Sequence, residues 1–304
     1  MNMSQKKWAY VALGFICLIW GTTYAAIKIA VAYFPPYLLV GIRQTGAGIL
    51  ILLMAVLGGA WRSSAAHITP RYVGLQALTG LSMITGGNGF ITYGMQYVSS
   101  GLAAVIGALT PVIVLLINLV WHKKGERLSR YTMAGVLLGF AGLGFIFNHG
   151  WADFLNPQYR LGILGCFGSC LTWSLGTVMA KRYNHNNVSP IMNAGMQITA
   201  GGLGGFLMSV IFDQNHTIQH DWHGWAATAY LITFGSAVAF SLYMFVLKQL
   251  SATASSIYTY INPAVAVFIG WLWLNEPLSI YEVIGTAITL AGLWLVNKGE
   301  SENG

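Results

Sequence analysis

Residues 8–32 read WAYVALGFICLIWGTTYAAIKIAVA, 25 residues carrying a single charge, Lys28. As an α-helix this run is roughly 37 Å long, enough to cross ~30 Å of hydrocarbon. Lys6 and Lys7 precede it as they would a signal peptide. The run is too long for a signal-peptide core and lacks a convincing cleavage site, so it is expected to remain as a membrane span. Nine further apolar runs follow: Tyr37–Leu57, Tyr72–Met95, Gly101–Trp121, Tyr131–Asn148, Leu161–Ala180, Pro190–Phe212, Gly224–Leu247, Thr253–Leu274 and Tyr281–Val296. The segments between them are short and polar. The fold class expected is therefore all-α integral membrane, with ten transmembrane helices and no separate soluble domain.

Composition agrees. Only 8% of the 304 residues are charged and 56% are hydrophobic, whereas soluble domains carry ~25% charge. With the N-terminus in the cytoplasm and the spans alternating, twelve Lys and Arg fall inside and Arg160 alone falls outside. This is the bias of the positive-inside rule and puts both termini in the cytoplasm. The acidic residues Asp153, Asp213, Asp221, Glu276 and Glu282 fall on the outer side. The net charge of +7 then reflects topology and anionic lipid. Basic residues scattered over short loops argue against a nucleic-acid partner, and the bilayer and a small-molecule substrate are the partners expected. A monomer and a homodimer both remain open.

The chain also repeats itself. Trp20-Gly21-Thr22 answers Trp173-Ser174-Leu175, and Gln44 answers Gln197, both at 153 residues. Thr110-Pro111 answers Asn262-Pro263 at 152 residues. Glu126-Arg127-Leu128-Ser129 answers Glu276-Pro277-Leu278-Ser279 at 150 residues, as Gly135 and Gly142 answer Gly285 and Gly292. Five spans per half is an odd number, so the second copy would enter the membrane from the opposite side, an inverted-topology repeat. The division expected is 1–150 for the first repeat and 151–304 for the second.

In these features the chain resembles the drug/metabolite transporter superfamily, specifically its EamA-type exporters, over its full length. The motifs that carry the resemblance are Trp20-Gly21-Thr22, Arg43 in the second span, and the duplicated Pro111…Glu126 and Pro263…Glu276. The second half departs where Met196 stands opposite Arg43 and Ser174 opposite Gly21. The resemblance implies a secondary transporter working by alternating access in a bacterial inner membrane. It implies export of amino acids, their analogues or amphiphilic drugs, through a pocket lined by the first, third, fourth, sixth, eighth and ninth helices.

Individual residues add candidates for that pocket. Pro111 and Pro263 lie near the middle of their spans. Each removes a backbone donor and frees a carbonyl, which in hydrocarbon must be satisfied by protein or cavity water. Thr110 and Asn262 add polar groups at the same depth. Arg43 lies well inside its span with no Asp or Glu in any span to pair with, so it either binds a substrate carboxylate or holds a gate through backbone carbonyls. Asn88, within Gly86-Gly87-Asn88-Gly89, makes either an interhelical hydrogen bond or a substrate contact. Trp20, Thr23, Trp173 and Tyr258 are further wall candidates. However, 40 residues are Phe, Trp or Tyr, and many of these must face lipid or the interface. Lys28, nearer the surface, is expected to snorkel outward.

Other chemistries find less support. Cys17, Cys166 and Cys170 lie within spans and read as small apolar fillers. His216 and His220 have i,i+4 spacing in a polar loop, and neither a metal site nor a cofactor motif is expected. A nucleotide-sugar or sugar-phosphate antiporter would need several basic residues in the cavity, where this chain offers Arg43 and Lys28. An intramembrane enzyme would need a nucleophile–base pair within the spans. A non-transporting assembly factor would lack a polar central cavity.

Overall fold

The computed structural model describes residues 3–121, 130–148, 156–184, 187–214, 217–250, 255 and 258–303. The loop around Glu126, Asp153, His216 and Thr253 lie outside these. Among the described residues the chain is helical throughout, with no strand. We number the helical runs α1 (Met3–Val31), α2 (Pro36–Leu57), α3 (70–94), α4 (100–121), α5 (Arg130–Asn148), α6 (Pro157–Tyr183), α7 (Pro190–Phe212), α8 (222–249), α9 (Tyr258–Leu274) and α10 (Ile280–Asn303). Six of them (α1, α2, α4, α6, α7 and α8) are long and apolar enough to cross a bilayer, and shorter apolar helices lie at Met133–Ile146, Ile261–Leu274 and Ile280–Val296. Large apolar side chains such as Leu57, Leu137, Leu207 and Val210 face outward, as lipid contact requires.

Local chemistry sets the helix starts. Pro36, Pro70, Pro157 and Pro190 occupy the first turns of their helices, where a missing N–H costs nothing. Thr69 Oγ1 accepts from Tyr72 N at 3.2 Å, and Asn156 Oδ1 accepts from Gln158 N at 2.9 Å. Asp221 caps α8 by accepting from His223 N at 2.8 Å. That amide and the His223 imidazole hold the Asp221 carboxyl below its usual range. Buried Asp213 reaches across to α2, its Oδ2 accepting from Leu38 N at 2.8 Å.

Lipid tails give no hydrophobic drive for one helix to seek another, so packing depends on close backbone approach. The α2–α7 and α5–α10 pairs achieve it through glycine. A methyl on Gly202 would sit 2.5 Å from Thr45 N, and one on Gly135 would sit 2.4 Å from the Gly292 carbonyl. The α5–α10 crossing is reciprocal: Gly135 meets Gly292 and Gly142 meets Gly285.

Three of the helices are interrupted. α3 contains an eight-residue π-helical segment, Leu81–Asn88, and α8 contains another, Leu231–Val238. Their positions differ by 150 residues. α4 is broken between Ser100–Gly107 and Thr110–Trp121. Pro111 is thus in the first turn of a new segment. It does not kink a continuous span.

Lys28 corrects the sequence reading. Its ammonium does not snorkel outward. It donates to the carbonyls of Met95 at 2.7 Å and Val98 at 2.8 Å, closing the C-terminal end of α3. Lys181 does the same at the end of α8, donating to the Leu247 and Leu250 carbonyls at 2.7 and 2.5 Å. Donor and acceptors recur at offsets of 152–153 residues. After α9, Asn275 adopts a left-handed φ of 53°. Glu276 then accepts from Ser100 N at 2.9 Å and from Ser100 Oγ at 2.6 Å, where a carboxylate suits the helix N-terminus.

Candidate substrate cavity

A cavity of about 720 Å³, its open mouth included, lies among α1, α2, α3, α4, α6, α7, α8 and α9. Eight of the ten residues singled out from sequence line it: Trp20, Thr23, Arg43 and Asn88, with Thr110, Trp173, Tyr258 and Asn262. Pro111 and Pro263 are not among the lining residues. α2 and α7 contribute Arg43, Gln44 and Ile198, so the wall is wider than the six helices that the family resemblance implied.

The base of the cavity is aromatic. Trp20 meets Tyr258 with ring centroids 4.6 Å apart, Tyr243 at 5.2 Å and Trp173 edge-on at 5.5 Å. Tyr243 also lies 5.9 Å from both Trp173 and Tyr258, and its hydroxyl shares a 2.9 Å hydrogen bond with Thr177. Beyond this cluster, further along α6 and α8, is a second hollow of about 440 Å³ walled by Lys181, Asn184, Asn193 and Lys248. On both helices the rings separate the two spaces.

Arg43 is 4% exposed. Its Nε donates to Ser236 Oγ at 2.8 Å and its Nη2 to the Gly235 carbonyl at 3.4 Å. The same carbonyl accepts from Trp20 Nε1 at 3.0 Å. Both acceptors belong to the π-helical segment of α8. Arg43 Nη1 and the amide oxygen of Gln44 are buried with no partner among the described residues. Asn88 is half-buried and makes no hydrogen bond among the described residues, so the interhelical bond considered for it is not formed. Among the described residues no Asp or Glu lines the cavity. A buried, incompletely bonded guanidinium favours an anionic acceptor, because a charge-assisted bond relieves its desolvation.

Thr110 has a different task. Its hydroxyl donates at 2.7 Å to the Gly107 carbonyl, the acceptor left without an N–H by Pro111. Its own carbonyl accepts from Ser174 Oγ at 3.2 Å. Asn262, with its amide oriented to suit its neighbours, donates from Nδ2 to the carbonyls of Cys17 and Tyr258, each at 3.0 Å, and so ties α9 to α1. Thr110 and Asn262 thus line the cavity while repairing the helices around it. Thr23 Oγ1 is likewise committed, donating to the Trp20 carbonyl at 2.6 Å. Cys17, Cys166 and Cys170 are buried and free.

Sequence reasoning missed Gly235, Ser236 and Gln44 as wall residues. A signal was present: Gly235-Ser236 lies 150 residues from Thr85-Gly86, at the edge of the glycine-rich stretch around Asn88. Gln44 stood out in the sequence only as a marker of the repeat.

Two stretches of the chain, 7–148 and 160–298, match the profile of the EamA-like transporter family. The chain is similar to the uncharacterized inner membrane transporter YedA of Escherichia coli, at 32% identity over 99% of this chain and 94% of that protein. It is also similar to the uncharacterized transporter YvbV of Bacillus subtilis, at 27% identity over 98% and 94%. A crystal structure of a protein 20% identical in sequence superposes with a TM-score of 0.71, covering 96% of this chain and 98% of that one. At that identity the likeness concerns the fold alone.

Proposed function

Because the chain belongs to the EamA-like transporter family, we propose that it carries a small organic solute bearing a carboxylate, such as an amino acid or an analogue, out of the cell by alternating access. The observation that carries the substrate class is Arg43: a buried guanidinium whose Nη1 has no partner among the described residues, in a cavity whose described lining holds no carboxylate. The aromatic base suits an apolar side chain or body on the same solute.

The architecture proposed is ten membrane crossings in two inverted repeats, residues 1–150 and 151–304. The two profile matches, the paired π-helical segments and the paired lysine clamps support it. The name of the Escherichia coli relative supports a bacterial inner membrane. The bias of Lys and Arg favours cytoplasmic termini. A reporter fused after Gly304 should therefore read as cytoplasmic, and an external reading would overturn the alternation of spans.

The substrate class is tested with purified protein in liposomes, comparing flux of an amino acid with flux of its decarboxylated amine. Arg43→Gln keeps a donor but removes the charge. Loss of a charge-assisted hydrogen bond should weaken handling of the acid by about 10–100-fold and spare the amine. Equal loss of both would assign Arg43 to the gate. Unchanged flux of both would remove it from the mechanism.

A further inference from the structure

The two halves match in many features and differ sharply in one. The π-helical segments Leu81–Asn88 and Leu231–Val238 occupy equivalent positions, and the Lys28 and Lys181 clamps are equivalent down to the carbonyls that they hold. Trp20 and Trp173 are equivalent too, 153 residues apart. Their indole N–H groups are not in equivalent states. Trp20 Nε1 donates at 3.0 Å to the Gly235 carbonyl, on the π-helical segment of the other half. Trp173 Nε1 is buried, donates to no carbonyl of the first half and lies toward the hydroxyls of Tyr243 and Tyr258. The carbonyl that corresponds to Gly235 is that of Thr85, on the π-helical segment of α3. Trp173 already rests on that segment: a methyl on Gly87 would meet the Trp173 ring at 3.1 Å.

We propose that Trp20 and Trp173 are alternating latches. Each indole closes on the π-helical carbonyl of the opposite half, and only one is closed at a time. The present state is held by Trp20 on Gly235. In the state that opens to the other face, Trp173 donates to the Thr85 carbonyl and Trp20 is released. If the two halves exchange conformations as one rocks against the other, each adopts the contacts that its counterpart held. A latch unmade in the present state accounts for an indole that packs against the segment without donating to it. Features identical in both halves, such as the lysine clamps, would ride along as rigid parts. The two tryptophans are positioning residues here, setting which face the cavity opens to. The proposal rests on the transporter reading above.

The test reads conformation without a substrate. With Cys17, Cys166 and Cys170 replaced by Ala, Ile91→Cys in the cavity wall is labelled in liposomes by a membrane-impermeant maleimide. The reagent is added to the side from which this background variant is labelled. Trp20→Phe removes the closed latch and should slow labelling, whereas Trp173→Phe removes the latch of the other state and should speed it, each by about two- to tenfold. The double variant should return close to the background rate. Shifts in the same direction, or with the signs reversed, would overturn the proposal. If Trp20→Phe fails to fold, Trp173→Phe decides alone: faster labelling supports the latch, and unchanged or slower labelling overturns it. Opposite shifts with no solute flux would sink the transporter reading. Flux without opposite shifts would sink the latch.

Discussion

At Lys28 an ammonium near the end of a membrane helix has two ways to avoid hydrocarbon. It can extend to the headgroups, or it can find carbonyls that also need a donor. Sequence periodicity gives only depth, and depth favours the first route. The structure takes the second, because α3 ends within reach and its last carbonyls have no helical partner. Lys28→Met preserves the aliphatic stem and removes the donor from both Met95 and Val98. Uncapping two carbonyls should cost about 1–3 kcal/mol and lower the melting temperature in detergent by several degrees. Lys181→Met should do the same through Leu247 and Leu250. A snorkelling lysine would leave the melting temperature unchanged, so a flat result for both variants would refute the clamps. Arg43 was easier to read. A charge that deep in an apolar run has few destinations, and the cavity is where the structure puts it.

At the scale of elements, the apolar runs were legible because length and hydrophobicity are one-dimensional quantities. The interruptions within them were legible only in part. Proline announced the break in α4, since no residue at position 111 could donate to Gly107, but the sequence does not show that Thr110 would bend back to fill the gap. The two π-helical segments left no such mark. A π-helix needs no special residue; it arises where one extra residue is absorbed into a helix under tertiary pressure. The glycines in 85–89 hinted at close approach without fixing its form. What could be read was the duplication: finding Gly86-Gly87-Asn88-Gly89 in one half should direct attention to 235–239 in the other. The wall residues Gly235 and Ser236 were hidden for the same reason, because their role depends on a carbonyl and a hydroxyl presented by an irregular turn. Asn262 and Thr110 line the cavity as sequence expects, yet most of their hydrogen-bonding capacity serves the helices.

At the scale of the molecule, the distribution of charge constrains how transport can be driven. Coupling to protons in membrane carriers usually relies on an acidic side chain that meets substrate and proton in the same space. Here the described acidic groups sit at helix ends. Asp213 caps α2, Asp221 caps α8, and Glu276 caps the first segment of α4. None touches the cavity, in which Arg43 is the only charged side chain among the described residues, and a guanidinium keeps its proton across the physiological range. A cavity with a fixed positive charge has nothing to exchange with a proton, whereas it can exchange one carboxylate for another. Flux in liposomes should therefore vary little between about pH 5.5 and 8, where free carboxylates stay ionised. It should also be stimulated by unlabelled substrate on the far side, as expected of facilitated diffusion or exchange. Accumulation of solute against its gradient, driven by an imposed proton gradient alone, would show that a titrating group outside the cavity controls the cycle. The cap at Glu276 would then be the first place to look, since protonating it would release the start of α4 from the loop after α9.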